Sequence, residues 1–176
     1  MLVFLSGPMD RVVSAHTWVD ELERVFSISN PLVSGGVQFF SPQRAFMRFG
    51  TIPGEFAMRI REINEAAVRS CSAMVLHYTP GVETWGCPME LMLADQLHKP
   101  IMVWVPPTEP GSWVLKREDL PIYLQSCMDG PLCAISRDIV GVQQWIAEMG
   151  DKRPPTNSVQ EGHRNFDALI REILGQ

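Results

Sequence analysis

The sequence predicts a single α/β domain, residues 1–176, in which helices cover both faces of a mainly parallel sheet of about five strands. Three observations carry this. Short, unbroken apolar runs such as Leu2 to Leu5, Ala73 to His77 and Ile101 to Val105 have the pattern of strands buried on both faces rather than on one. Between them lie longer segments whose apolar residues recur at helical spacing. The chain of 176 residues, 45% hydrophobic and 20% charged, is also long enough for one sizeable core, and nothing in its length demands a second.

Taken in order, Leu2 to Leu5 forms the first strand, stopped by the turn residues Ser6, Gly7 and Pro8. Ala15, Trp18, Val19, Leu22, Val25 and Phe26 make one face of a first helix, with Asp20, Glu21, Glu23 and Arg24 between them. Val37 to Phe40 is a second strand, introduced by Gly35 and Gly36 and closed by Ser41 and Pro42. Across Gly54 to Cys71, Phe56, Ile60, Ile63, Ala67 and Cys71 keep a helical period. Ala73 to His77 is the third strand, Tyr78 to Gly86 a polar loop, and Cys87 to Leu97 a helix with Pro88 in its first turn, where a missing N–H costs nothing. Ile101 to Val105 is the fourth strand and Leu132 to Ile135 a fifth; the proline-rich stretch Pro106 to Pro121 reads as a long loop. Helices at Ile139 to Met149 and Val159 to Leu174 follow, the second opened by the capping pattern Ser158 to Glu161. Strand alternating with helix implies right-handed crossovers and a doubly wound, flavodoxin- or Rossmann-like three-layer sandwich.

A net charge of −5 gives no footprint for duplex nucleic acid or an anionic membrane surface, so any nucleotide bound is expected to be small. Cys71, Cys87, Cys127 and Cys133 form no C-x-x-C pair and read as buried thiols. His16, His77, His98 and His163 contain no i, i+4 pair, and no metal or cofactor is expected. The segment Met1 to Pro8 has no basic flank and an apolar run too short for a signal peptide or a span, so a cytoplasmic setting is expected.

In doubly wound sheets ligands sit outside the carboxyl ends of the strands, which directs attention to Ser6 to Arg11, to Thr79 to Gly86, and to the residues from Pro106 onward. Glu90 falls in the first turn of the helix after the third strand, where free N–H groups and the helix dipole favour the ionised carboxylate. From position alone it is either a nucleophile at the mouth of the sheet or a capping residue. Ser6-Gly7-Pro8 could present backbone N–H groups to a phosphate, but it has neither a G-x-G-x-x-G nor a P-loop pattern, and a structural turn is the plainer reading.

The combination of Phe4 to Met9, Arg69 to Leu76, Gly86-Cys-Pro-Met-Glu-Leu91, Ala94 and Lys99-Pro-Ile101 resembles the nucleoside 2-deoxyribosyltransferase-like family over about the first 105 residues. That family includes base-exchanging transferases and N-glycosidases of nucleoside 5′-monophosphates. The resemblance implies that Glu90 attacks C1′ of the sugar and that Gly86 lets the sugar approach the backbone. Thr84 stands where the transferases carry an acid and the monophosphate hydrolases a hydroxyl residue; a hydroxyl can donate to a phosphate that a carboxylate would repel. Asn64 and Ser72 stand where the family has aspartates, and an amide cannot act as a general acid. Asn64 lies on the flank of the apolar stripe, about 80° from Phe56 on a helical wheel, within reach of the site.

Glu90 and Asn64 are therefore the catalytic candidates, and Ser6, Gly7, Met9, Arg11, Thr84, Trp85 and Gly86 the substrate-binding ones. Ser14 is a further substitute for the family's phosphate loop; Trp85, Phe46 and Phe49 are candidate base clamps, and Arg44 and Arg48 candidate phosphate partners. The implied function is hydrolysis of the N-glycosidic bond of a nucleoside 5′-monophosphate, with base transfer or nucleotide binding without cleavage as alternatives. The resemblance also implies a homodimer.

Overall fold

The computed structural model describes residues 1–8, 17–29, 37–42, 57–82, 86–107, 118, 120–130 and 132–151. Five strands, β1 (Leu2–Ser6), β2 (Gln38–Phe40), β3 (Ala73–His77), β4 (Ile101–Trp104) and β5 (Cys133–Ser136), form one sheet in the order β2-β1-β3-β4-β5. Every pairing is parallel. The helices are α1 (Thr17–Ser29), α2 (Ala57–Ser70), α3 (Cys87–Gln96), α4 (Ile122–Met128) and α5 (Ile139–Asp151). This is the doubly wound architecture expected, and its strand order reverses between β1 and β3, where the crossovers to left and right leave a crevice at the carboxyl ends.

The period of two along each strand divides the core between the two faces. Phe4, Met74, Leu76, Ile101 and Val103 point toward α2, α3 and α4, where Ile63, Ala67, Leu91, Ala94 and Leu124 close the layer. Val3, Leu5, Val75, Met102 and Trp104 point the other way, onto Trp18, Val19 and Leu22 of α1 and Val142 and Ile146 of α5. The central strands are buried along their whole length, which is why they read as unbroken apolar runs. Lys99 joins the layers from within its Lys-Pro turn: its Nζ donates to the carbonyls of Arg69 at 2.9 Å and Cys71 at 2.7 Å, satisfying backbone oxygens left at the end of α2.

On the second face a ring stack closes the carboxyl end. His77 lies parallel to Trp18 with centroids 4.9 Å apart and meets Trp104 edge-on at 4.8 Å. Gly7 makes room for it, because a Cβ there would stand 2.7 Å from Trp18 Cζ2 and 3.3 Å from His77 Cβ. Gly7→Ala is expected to force the stack apart at a cost of roughly 1–3 kcal/mol, since rings packed on both sides cannot retreat. A melting temperature equal to that of the unmodified protein would show that the stack is loose.

One departure from the sequence reading stands out. Helix α4 occupies a stretch to which the sequence reading assigned no element; the expected helix at Val159 to Leu174 lies outside the described residues. The structure buries Cys71, Cys87 and Cys127 and leaves Cys133 half-buried. Burial, Cys127 and Asp95 push the Cys133 thiol up to about 11, so it is not an activated nucleophile. Among the described residues no helix is long and apolar enough to cross a membrane.

Candidate active site

Glu90 is the fourth residue of α3, whose N-cap is Gly86 and whose first turn carries Pro88. Its backbone N–H already donates to the Gly86 carbonyl at 3.2 Å. Its side chain does not turn back to cap the helix. Ser6 Oγ, at the end of β1, donates to Glu90 Oε2 at 2.5 Å, and Asn64 Nδ2, from α2, donates to Oε1 at 2.9 Å. Three elements separated by 84 and 26 residues in sequence thus converge on one carboxylate beside the crevice between β1 and β3. A capping box would need the glutamate one residue earlier and a hydroxyl at the N-cap, and neither is present.

The electrostatics of the carboxyl combine opposing effects. The helix dipole and two donors favour the anion, but Glu90 is only 9% exposed, and burial pushes its carboxyl above the ordinary glutamate range; the bonds from Ser6 and Asn64 pull it back. Removal from water thus works against the helix position, which favours the charged form. A sugar carbon developing oxocarbenium character nearby would act on the side of the two donors and favour the anion.

Gly86 flanks this carboxylate without obstructing it, since a Cβ there would lie 3.6 Å from Oε1. Asn64 is half-buried, and its Oδ1 is buried without a partner among the described residues. Ser6 was expected to bind substrate; the structure brings it to the glutamate itself, a role no spacing rule could have shown. Gly7 turns its absent side chain toward Trp18, on the sheet face opposite Glu90. Ser72 lies at the amino end of β3, where its N–H donates to the Leu2 carbonyl, at the far edge of the sheet from the site. Tyr78, which the sequence reading did not single out, follows β3 on the face shared with Leu76, and burial raises its hydroxyl pKa. Met9, Arg11, Ser14, Arg44, Phe46, Arg48, Phe49, Thr84 and Trp85 lie outside the described residues. Among those described, no three His, Cys, Asp or Glu side chains gather as a metal site would require.

Neither a protein-family model nor a curated protein matches the chain. Solved structures do. A 2-deoxyribosyltransferase from the psychrotolerant bacterium Bacillus psychrosaccharolyticus superposes with a TM-score of 0.61 at 16% identity, over 85% of this chain and 96% of that one. The chain has the nucleoside 2-deoxyribosyltransferase-like fold. A conserved protein from Enterococcus faecalis V583 superposes equally well, with a TM-score of 0.62 at 11% identity over 84% of this chain and 98% of that one. Identity this low carries the fold and not the activity.

Proposed function

We propose that the protein cleaves the N-glycosidic bond of a small nucleotide through Glu90, with a nucleoside 5′-monophosphate as substrate and water as acceptor. The observation that carries this reading is the carboxylate gripped at both oxygens by Ser6 and Asn64 at the topological switch point, a geometry that helix capping does not call for. Two fixed donors aim the carboxylate and spare it the reorganisation that a free glutamate would undergo in the transition state.

One oxygen of Glu90 attacks C1′ from the face opposite the base; the C1′–N bond breaks, its electron pair leaves with the base, and a proton from solvent completes the free base. Asn64 cannot supply that proton, having no acid to give. Water then attacks C1′ from the vacated face and gives up a proton to solvent, the ester C1′–O bond breaks, and the Glu90 carboxylate is regenerated. Two inversions at one carbon retain configuration.

Thr84 supports the monophosphate over the nucleoside through its hydroxyl, and Met9, Arg11 and Trp85 belong to the same proposed pocket. No cofactor or metal enters any step. Residues 1–176 act in this reading as one domain, in the cytoplasm and as a homodimer, for which Met89 and Met92 on the outer side of α3, each about half exposed, offer an apolar surface beside the site. Base transfer is the same chemistry with a second base in place of water. A second reading, nucleotide binding without cleavage, is favoured by Asn64, an amide that gives Glu90 no neighbouring general acid. Incubation with matched nucleosides and 5′-monophosphates, followed by chromatography for free base, tests both. Base released from monophosphates ahead of nucleosides supports the proposal; tight binding with no base from any substrate supports the second reading.

A further inference from the structure

The two oxygens of Glu90 have different surroundings. Oε2 faces the end of β1, where Ser6, 1% exposed, donates its hydroxyl at 2.5 Å, the short end of the range for a hydroxyl bound to a carboxylate. Oε1 accepts the longer bond from Asn64 Nδ2, at 2.9 Å, and lies beside Gly86. Gly86 has an ordinary right-handed backbone, φ −80° and ψ −35°, which residues with side chains adopt freely, so its missing side chain matters for space and not for conformation. Chain neighbours aside, a carbon placed where its Cβ would stand meets one described atom within 4 Å, Glu90 Oε1 at 3.6 Å. That is close to the separation of about 3–3.5 Å at which reacting atoms are held before attack. Among the described residues, the open side of the carboxylate is therefore the Oε1 side, and Ser6 occupies the other.

We infer that Oε1 is the oxygen that attacks C1′, and that Ser6, bound to Oε2, is a positioning residue for the second half of the reaction, in which Glu90 leaves the sugar. This rests on the reading of Glu90 as the nucleophile. Once Oε1 has bonded to C1′, Oε2 is the carbonyl oxygen of an ester, and the bond it accepts from Ser6 joins two neutral groups. Water then bonds to C1′ and passes a proton to solvent. As the C1′–Oε1 bond breaks, its electron pair stays with Glu90 and the negative charge spreads over both oxygens, while the Ser6 proton remains on Oγ throughout. A hydroxyl binds a carboxylate roughly twice as strongly as a neutral carbonyl, so the Ser6 bond tightens as the ester breaks and slackens as it forms. An interaction accelerates a step when it is stronger in the transition state than in the state before it. Ser6 therefore speeds release of the sugar and restrains its capture.

The ester itself can be isolated and timed. Nucleoside 5′-monophosphates with a 2′-deoxy-2′-fluoroarabino sugar, one for each common base, should form it and lose it slowly, because fluorine beside C1′ destabilises the oxocarbenium-like transition state. After removal of excess nucleotide, mass spectrometry follows the decay of the adduct. The ester on Ser6→Ala should decay about tenfold more slowly than on the unmodified protein, the difference between a hydrogen bond to a charged and to a neutral acceptor. Ser6→Thr, which restores the hydroxyl, should return the decay to within about threefold of the unmodified rate. A crystal structure of the trapped protein gives a second readout, in which C1′ is bonded to the oxygen beside Gly86 and Ser6 Oγ lies on the other. Equal decay in the unmodified protein and Ser6→Ala, no adduct at all on Ser6→Ala, or C1′ bonded to the oxygen that faces Ser6 would overturn the inference and leave the Glu90 mechanism standing. Absence of an adduct on the unmodified protein with every base would remove the nucleophile, and this inference with it.

Discussion

Glu90→Gln should abolish base release while leaving nucleotide binding largely intact and raising, rather than lowering, the melting temperature at neutral pH. The loss of activity should reach about three orders of magnitude or more, because glutamine has no anionic oxygen to form the ester with C1′. Binding survives because the replacement keeps the shape of the side chain. Ser6 Oγ can still donate to the amide oxygen. Asn64, whose Oδ1 has no partner among the described residues, can turn over and accept from the new amide nitrogen. The stability change follows from linkage. Burial raises the Glu90 pKa in the folded protein above its value in the unfolded chain, so the group's contribution is fully present below about pH 4.5 and is lost as pH rises through the folded value. A neutral glutamine does not suffer that loss. Activity assays, ligand titration and thermal melts on the one variant separate the possibilities: base release near the unmodified rate would remove the nucleophile, and a melting temperature that drops would mean that the carboxylate is structural.

How far the sequence reveals this arrangement depends on the range of the interaction concerned. The central strands are legible because burial on both faces leaves no polar residue within Ala73–His77 except the last, and the same holds for Ile101–Trp104. Helices α2 and α5 keep a single buried stripe, and their expected limits differ from those observed by only a few residues. Helix α4 is hidden for the opposite reason. It is seven residues long and buries only Leu124 and Cys127, while Ile122 is 83% exposed, so no apolar stripe rises above the surrounding prolines. Pro121 directly ahead of the Leu124 and Cys127 spacing is the signal that was present.

In the site, Glu90 could be singled out from its position after β3, but Asn64 only through the resemblance, since their contact spans 26 residues and joins two different helices. Ser6 was visible as part of a strand-ending turn; its hold on Glu90 depends on β1 lying next to β3, which no local pattern specifies. The helix position that favours the Glu90 anion can be read locally, whereas the burial that raises its pKa depends on which elements pack around the group.

The same dependence on packing governs the expected pH response of His77. In the sequence it is one of four scattered histidines; in the fold it closes β3 between two tryptophans, one stacked on its face and one across its edge. Its Nδ1 and the Nε1 atoms of Trp18 and Trp104 are buried without partners among the described residues. Burial lowers its pKa from 6.5 to about 4, so the folded protein holds it neutral over a range in which the unfolded chain protonates it. As pH falls below 6.5 the unfolded state takes up a proton that the folded state refuses, and stability declines until the folded histidine titrates as well, at about 4. Across that interval the loss should be roughly 3 kcal/mol. Glu90 acts in the opposite sense over the upper part of the same interval, losing stability as pH rises above 4.5, so the melting curve of the unmodified protein contains both and isolates neither. The comparison that does isolate His77 is His77→Phe, which keeps a flat ring between Trp18 and Trp104, removes an unpaired nitrogen and binds no proton. The difference in melting temperature between this variant and the unmodified protein should widen steadily from pH 7 down to pH 4, with the variant the more stable at the acid end. A difference that stays constant across that range would mean that His77 is protonated in the folded state as readily as in the unfolded one, and that the ring stack is open to water.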